Sequence, residues 1–120
     1  MTRRYLSIQE VESALRRGTS IEIFLGGFMF EDKKCIRWAS FTAKGDNLVG
    51  CLWEAYDQGS EDYVDLYTFD SPSGEYDEPV NVVISATIES VVKELGIKNF
   101  NFVNQGVAQD EYISYLKSHR

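Results

Sequence analysis

The chain has 120 residues, a formal net charge of −7 and an apolar fraction of 43%, with 13% aromatic residues. This length fits one domain, and the composition is that of a globular protein with a core, which excludes an intrinsically disordered chain. Arg3-Arg4 is not followed by an apolar segment, and no run approaches the roughly 20 apolar residues of a membrane span. We therefore expect a single domain over residues 1–120, without a signal peptide and located in the cytoplasm.

The first predicted element is a helix over residues 8–17. Ser7 and Glu10 have the spacing of a capping box, in which the two side chains satisfy backbone amides at the start of a helix. Gly18 follows the last helical position, where glycine readily adopts a positive φ. These signals define both ends of the helix.

A series of strand-like segments with short polar turns follows this helix. Gly26-Gly27 ends or bends the first segment, and residues 44–47 form a strong turn signal between two apolar runs. The apolar and aromatic content predicts strands over residues 20–25, 35–42, 48–56 and 63–69. Their short connections favour an antiparallel meander.

The C-terminal third combines a loop, two helices and one short strand. Residues 70–79 contain Ser-Pro-Ser-Gly, which is typical of a loop. Apolar residues from 84 to 95 recur at helical spacing and stop at Gly96, but the start of this helix stays open because residues 81–84 also fit the end of a strand. Residues 99–103 fit a short strand, and a final helix is predicted over residues 108–117.

The order of these elements predicts an α+β fold. We expect a four- to five-stranded, mainly antiparallel sheet, a meander, with an N-terminal helix and two C-terminal helices packed on it. In this arrangement the helices cover one face of the sheet.

Residues that support catalysis or cofactor binding are scarce. His119 is the one histidine and lies beside the C-terminus, where chains usually fray, so Ser–His and Cys–His nucleophiles are strongly disfavoured. Cys35 and Cys51 do not have the clustered spacing of a zinc site, and we interpret them as free thiols, with a disulfide as the alternative. The glycines form no phosphate-binding motif. We therefore predict no catalytic residue, no metal ligand and no cofactor.

The acidic residues are concentrated in the middle of the chain. Between Lys44 and Lys93 there is no lysine or arginine, and these 48 residues contain eleven acids. Phosphate contacts need lysine and arginine, so direct binding of nucleic acid is disfavoured. Ordinary protein surfaces intersperse both signs of charge, so this stretch predicts a surface that attracts a basic protein.

Aromatic residues alternate with acids in this acidic stretch. Tyrosine and tryptophan are frequent interface anchors, and carboxylates steer basic partners and accept hydrogen bonds from them. The candidate partner-binding residues are Glu54, Tyr56, Asp57, Glu61, Asp62, Tyr63, Asp65, Tyr67, Asp70, Glu75, Tyr76, Asp77 and Glu78. The structural alternative is that Trp53, Tyr67 and Phe69 are core residues and that the acids keep an antiparallel sheet soluble.

In its size, its acidity and its Tyr/Asp/Glu-rich middle, the chain resembles small bacterial immunity proteins of toxin–immunity systems, such as those of contact-dependent growth inhibition. The resemblance implies a non-enzymatic inhibitor that occludes a basic nuclease toxin, because its carboxylates pair with the cationic groups that otherwise hold phosphate. We expect this basic protein as the partner, no membrane partner, and a monomer or weak homodimer, since like charge opposes self-association.

Three other functions fit the same sequence. A nucleic-acid mimic or regulatory subunit of an endogenous nucleic-acid enzyme would use the same acidic surface. A carboxylate-based enzyme or metal-binding protein would use the four acids of residues 70–78, although Pro72 interrupts the ligand spacing of an EF-hand. A structural subunit would form a stable homo-oligomer.

Overall fold

The structure is a computed structural model that describes residues 5–60, 62–72, 78–98 and 100–119. It has the predicted α+β architecture, with a five-stranded antiparallel sheet in the order β4-β3-β2-β1-β5. The elements along the chain are α1 (Ile8–Arg16), β1 (Ile21–Phe30), β2 (Lys33–Lys44), β3 (Asn47–Tyr56), a 3₁₀ turn (Leu66–Thr68), β4 (Asn81–Ser85), α2 (Ile88–Glu94), β5 (Val103–Asn104) and α3 (Ala108–His119).

The predicted signals at the start of α1 are confirmed. The side chain of Ser7 accepts a hydrogen bond from the backbone N–H of Glu10, and the carboxylate of Glu10 accepts one from the N–H of Ser7. Gly18 has a φ of +84° just beyond the helix. The capping box therefore fixes the N-terminal end of the helix, and a left-handed glycine follows its C-terminal end.

Strands β1, β2 and β3 form two long hairpins. Glu31 and Asp32, which connect β1 to β2, both have positive φ, as a type I′ turn requires. Gly26 also has a positive φ, and the register between β1 and β2 shifts between Phe24 and Gly26, so Leu25 is the extra residue of a β-bulge. The glycine pair therefore bends β1, and the strand continues to Phe30.

Helices lie on both faces of the sheet, instead of the one face expected. Helices α1 and α2 pack on the face that carries Ile21, Ile23 and Phe41. Helix α3 packs on the opposite face, with the 3₁₀ turn, against Ile36 and Trp38. Successive residues of a strand point to opposite faces, so the two apolar clusters occupy the two sides of one sheet. We call the second side the α3 face.

The strand predicted over residues 63–69 is wrong. The segment contains a 3₁₀ turn at Leu66–Thr68, and the ladder contact found nearby among the described residues is an isolated bridge between Ser60 and Tyr63. Leu66 and Phe69 are both buried, because residues three apart share one side of a 3₁₀ turn. The alternation of apolar and polar residues that favoured a strand therefore fits this turn as well.

The fourth strand is formed later in the chain. Strand β4 pairs with β3 and includes Ile84, so the strand alternative for residues 81–84 is the correct one. The second helix begins at Ile88, directly after its N-cap residue Thr87, so the start that the sequence left open lies at residue 88. The predicted strand at 99–103 overlaps β5 at Val103, and the last helix is confirmed and extends to residue 119.

Cys35 and Cys51 are free thiols, as predicted. Cys51 is opposite Ser40 in the register of β2 and β3, so it lies five positions from the level of Cys35. At a rise of about 3.3 Å per strand residue this separates the two by about 16 Å, well beyond the reach of a disulfide.

Candidate binding face

The strand register arranges the α3 face in rows of residues. Glu22, Ser40, Cys51 and Val82 are paired in sequence across β1, β2, β3 and β4 and form one row. Directly opposite residues of antiparallel strands point to the same face, so these four side chains are neighbours. The next row contains Phe24, Trp38 and Trp53, which pack with α3 and the 3₁₀ turn.

A cavity of about 380 Å³ lies above these rows. Its volume is within the range of roughly 300–1,000 Å³ that is typical of small-molecule sites. The cavity is lined by Glu22, Trp38, Ser40, Trp53, Tyr67, Gln105 and Gly106. It therefore combines one carboxylate with three large aromatic rings and several hydrogen-bonding groups.

Glu22 is the most unusual residue of this cavity, because its side chain is charged and only 4% exposed. The hydroxyl of Tyr67 donates to both carboxylate oxygens, at 2.8 Å to Oε1 and 2.9 Å to Oε2, and the N–H of Gly106 donates to Oε1 at 2.9 Å. Neither donor carries a charge. Among the described residues, no lysine or arginine forms a salt bridge with Glu22, so the negative charge is buried without a counter-ion.

The aromatic rings are held in fixed positions around this carboxylate. The rings of Trp38 and Trp53 are nearly parallel, with an interplanar angle of 11° and centroids 6.3 Å apart. Tyr67 meets Trp38 edge-on at 6.0 Å, and the indole N–H of Trp53 donates to Ser40 Oγ at 2.9 Å. These contacts organise the cavity before any ligand enters.

Tyr67 links the cavity to the acidic stretch of the sequence. Burial raises its pKa first, and the hydrogen bond to Glu22 and the charge of that carboxylate raise it further. A phenol with a raised pKa stays protonated and keeps donating to Glu22. Tyr67 therefore holds the carboxylate in its hydrogen-bonded position over the whole physiological pH range.

Residues 57–60 and 62–70, which we call the acidic loop, cover part of the α3 face. The loop closes on itself, since the backbone N–H of Tyr56 donates to the carbonyl of Asp70 at 2.8 Å and Gln58 hydrogen-bonds both the N–H and the carboxylate of Asp70. Leu66 and Phe69 anchor it in the apolar cluster of this face. The loop is therefore packed against the sheet and α3 and presents its acids from a defined position.

Helix α3 holds the acidic loop from the other side. The hydroxyl of Tyr112 donates to the carboxylate of Asp57, and the N–H of Gly59 donates to the same hydroxyl at 3.1 Å. The side-chain amide of Gln109 donates to Asp65 at 3.3 Å. Two successive turns of α3 thus contact the loop, one at its start and one near its middle.

The predicted partner-binding residues are divided between the two faces. Asp57, Asp62, Tyr63, Asp65, Tyr67 and Asp70 lie in the acidic loop on the α3 face, with Asp62, Tyr63 and Asp70 exposed. Glu54 and Tyr56 point to the opposite face, where Glu54 accepts two hydrogen bonds from Arg37 and Lys33 lies over the ring of Tyr56. Glu78 is exposed, and Glu61, Glu75, Tyr76 and Asp77 lie outside the described residues.

No family model, curated protein or solved structure matches this chain. The assignment of the site therefore depends on its geometry. In the part of the chain that the structure describes, no helix is long and apolar enough to cross a membrane, and no group of three or more His, Cys, Asp or Glu side chains is placed to hold a metal ion.

Sequence reasoning missed the residues that form the floor of the cavity. Glu22 stands between Ile21 and Ile23 in a strand, which indicates only that it points away from the isoleucines. What distinguishes Glu22 is that other residues bury its side chain on the α3 face, and those residues lie more than forty positions later in the chain. The local sequence around Trp38 and Ser40 likewise indicates only a strand, because the residues that complete the cavity around them lie elsewhere in the chain.

Exposed apolar side chains continue the row beyond the cavity. Val82 is 49% and Ile84 63% exposed, and both lie on the α3 face of the edge strand β4, beside Cys51 and Val49. Exposed apolar side chains on the face that also carries exposed acids are a combination that protein-binding surfaces use.

Proposed function

We propose that this protein binds a basic partner protein through its α3 face and thereby blocks the partner, without catalysing a reaction itself. The partner that fits best is a nuclease toxin, whose cationic active site normally holds phosphate. The protein would then act as an immunity protein in the cytoplasm, a compartment in which its free thiols stay reduced.

One observation carries this proposal. The acids Asp62, Asp65 and Asp70 share one packed loop on the α3 face, and no lysine or arginine forms a salt bridge with them among the described residues. On the opposite face, the carboxylate of Glu54 is paired with Arg37 at 2.6 Å. The acidic charge on the α3 face is therefore left available for a partner.

Aromatic and apolar side chains on the α3 face supply the affinity that the acidic charge alone does not provide. Unpaired carboxylates at the rim of an interface accelerate association with a basic protein, but contribute little affinity once the proteins are bound. Aromatic anchors and apolar area supply affinity. The exposed Tyr63 and the apolar side chains of β4 lie on the same face as the acidic loop and fit this role.

The test is to isolate the partner and compare its association with two double variants. The protein is used as bait to capture its partner from cells in which both are produced. The purified partner is then mixed with the native protein and with each variant in a stopped-flow instrument, at low and high salt. We expect a basic partner whose association is slowed at least tenfold at low salt by Asp62→Lys with Asp70→Lys. Inhibition of nuclease activity of the partner then identifies it as a toxin.

The matched control is Glu12→Lys with Glu89→Lys, which makes the same charge change on α1 and α2, on the opposite face. We expect it to slow association much less, because those helices face away from the proposed interface. Equal slowing by both pairs would show that only total charge matters and would refute the assigned face. A captured partner that is a resident nucleic-acid enzyme would replace the toxin with the regulatory function.

A further inference from the structure

We propose that the cavity on the α3 face binds a guanidinium group, with Glu22 as its counter-ion and the two tryptophans as its walls. The inference stands on the cavity alone and does not depend on the proposed function. Its starting point is the buried carboxylate of Glu22, which is 4% exposed and whose hydrogen-bond donors in the described part of the chain are uncharged. A cation in the cavity would supply the missing opposite charge.

The carboxylate retains the capacity to bind such a cation. An ionised carboxylate offers about four acceptor positions on its two oxygens. Oε1 accepts from Tyr67 and Gly106, whereas among the described residues Oε2 accepts from the shared hydroxyl of Tyr67 alone. Oε2 is therefore the atom that can accept a further charged hydrogen bond from a group in the cavity.

The walls of the cavity suit a flat organic cation. Trp53 is half-buried, so part of its ring is open, and Trp38 and Tyr67 line the same space. Cations are attracted to tryptophan rings within about 6 Å of the ring centre, and the attraction is larger where water is excluded. Ser40 and Gln105 add neutral hydrogen-bonding groups to the lining.

A guanidinium fits these features better than an ammonium or a metal ion. It is planar, stacks on aromatic rings and loses less hydration than an ammonium when it is buried. A Ca²⁺ or Mg²⁺ ion needs several oxygen ligands, and Glu22 is the single carboxylate among the described residues that line the cavity. The same guanidinium chemistry is offered by a free small molecule and by an arginine side chain of a bound protein.

The experiment uses the two tryptophans as the reporter, because Trp38 and Trp53 are the only ones in the chain and both line the cavity. N-acetyl-L-arginine methylamide is titrated into the protein at constant ionic strength while the tryptophan fluorescence is recorded. We expect a saturable change with a Kd on the order of 1 mM, which is reasonable for a ligand of this size. The citrulline analogue has nearly the same shape without the charge, and we expect it to bind at least tenfold more weakly.

Two variants separate the counter-ion from general charge. Glu22→Gln keeps the shape of the side chain and should weaken binding of the arginine probe at least tenfold, while Glu12→Gln on the opposite face should leave it unchanged. Near-ultraviolet circular dichroism checks that each variant is folded. Equal binding of the citrulline analogue, no saturable change with the arginine probe, or full binding by a folded Glu22→Gln protein would each overturn the proposal. If Glu22→Gln does not fold, the comparison of the arginine and citrulline probes on the native protein still tests whether the cavity selects the charged guanidinium.

Two further measurements identify the source of the guanidinium. Free L-arginine that binds more tightly than the capped probe indicates a small-molecule ligand, whereas equal or tighter binding of the capped probe indicates a side chain from a protein. In the second case Glu22→Gln should raise the dissociation rate of the captured partner with little change in its association rate, because a buried charge pair acts mainly on dissociation. The titration itself contains no partner, so it can fail or succeed independently of the proposed function.

Discussion

Replacement of Gly59 by alanine tests whether the acidic loop has to be packed against α3. A Cβ atom at this position would lie 2.6 Å from the ring atom Cζ of Phe69, from the hydroxyl of Tyr112 and from the backbone oxygen of Tyr63. These distances are about 1 Å shorter than an ordinary contact of roughly 3.5–4.0 Å between carbon atoms. The φ of Gly59 is not in the left-handed region, so the effect of alanine is steric.

The loss of stability expected for Gly59→Ala depends on whether the atoms around the new Cβ can move away from it. The carbonyl of Tyr63 is held because it accepts from the N–H of Ser60 at 2.9 Å, so the loop cannot yield on that side without losing a hydrogen bond. Overpacking of this kind destabilises proteins by typically 1–3 kcal/mol, and we place Gly59→Ala at about 2 kcal/mol. For a chain of this size that corresponds to a fall in Tm of about 8 °C.

Urea and thermal denaturation measure the stability, and hydrogen exchange of residues 57–70 shows whether the loop opens. Gly50→Ala is the matched control, since its Cβ would lie 2.2 Å from Val91 on the opposite face. We expect both variants to lose stability, but only Gly59→Ala to increase exchange in the acidic loop and to slow association of the partner. A Gly59→Ala protein with native stability and native loop exchange would refute this account of the packing.

Three further outcomes follow from the same contacts. Burial and Glu22 raise the pKa of Tyr67, so its contribution to stability is complete below about pH 10, the unfolded value, and is lost as pH rises toward the folded value. Tyr67→Phe should therefore flatten the fall of the unfolding free energy above about pH 10, and a fall as steep as that of the native protein would contradict this role. Burial raises the pKa of both thiols, but Cys51 is partly accessible and Cys35 is fully buried. A thiol reagent should therefore modify Cys51 in the native protein and Cys35 only at the rate of unfolding, and equal rates would contradict the burial of Cys35. Glu54→Gln should cost less than about 1 kcal/mol, since its pair with Arg37 is partly exposed, and should not change the fluorescence titration.

The local signals in the sequence were sufficient for most elements. The capping box of α1 and the turn residues at 44–47 act on backbone groups within a few positions, so they define boundaries without knowledge of the rest of the chain. The error at residues 63–69 has a physical reason. Strand β3 pairs with β2 on one side and β4 on the other, so β3 has no free edge for a strand from the acidic loop, and the segment turns into the apolar cluster of the α3 face instead.

The candidate site was predicted only in part. The exposed acids of the loop could be identified because the excess of acidic residues over basic ones is visible in the local sequence. Glu22 could not, because its burial depends on Tyr67 and Gly106, which reach it from distant parts of the chain. The division of Glu54 from the other acids likewise depends on the pleat of β3, which places it beside Arg37.

The position of β1 inside the sheet has a consequence for how the chain is made. Glu22 emerges from the ribosome 84 positions before Gly106, its backbone donor, and the edge of β1 that receives β5 stays unpaired until those late residues appear. During that interval the nascent chain presents an open strand edge and an uncovered carboxylate in place of the future cavity. Premature release, or a truncation before β5, should therefore yield a chain that associates with itself through β1.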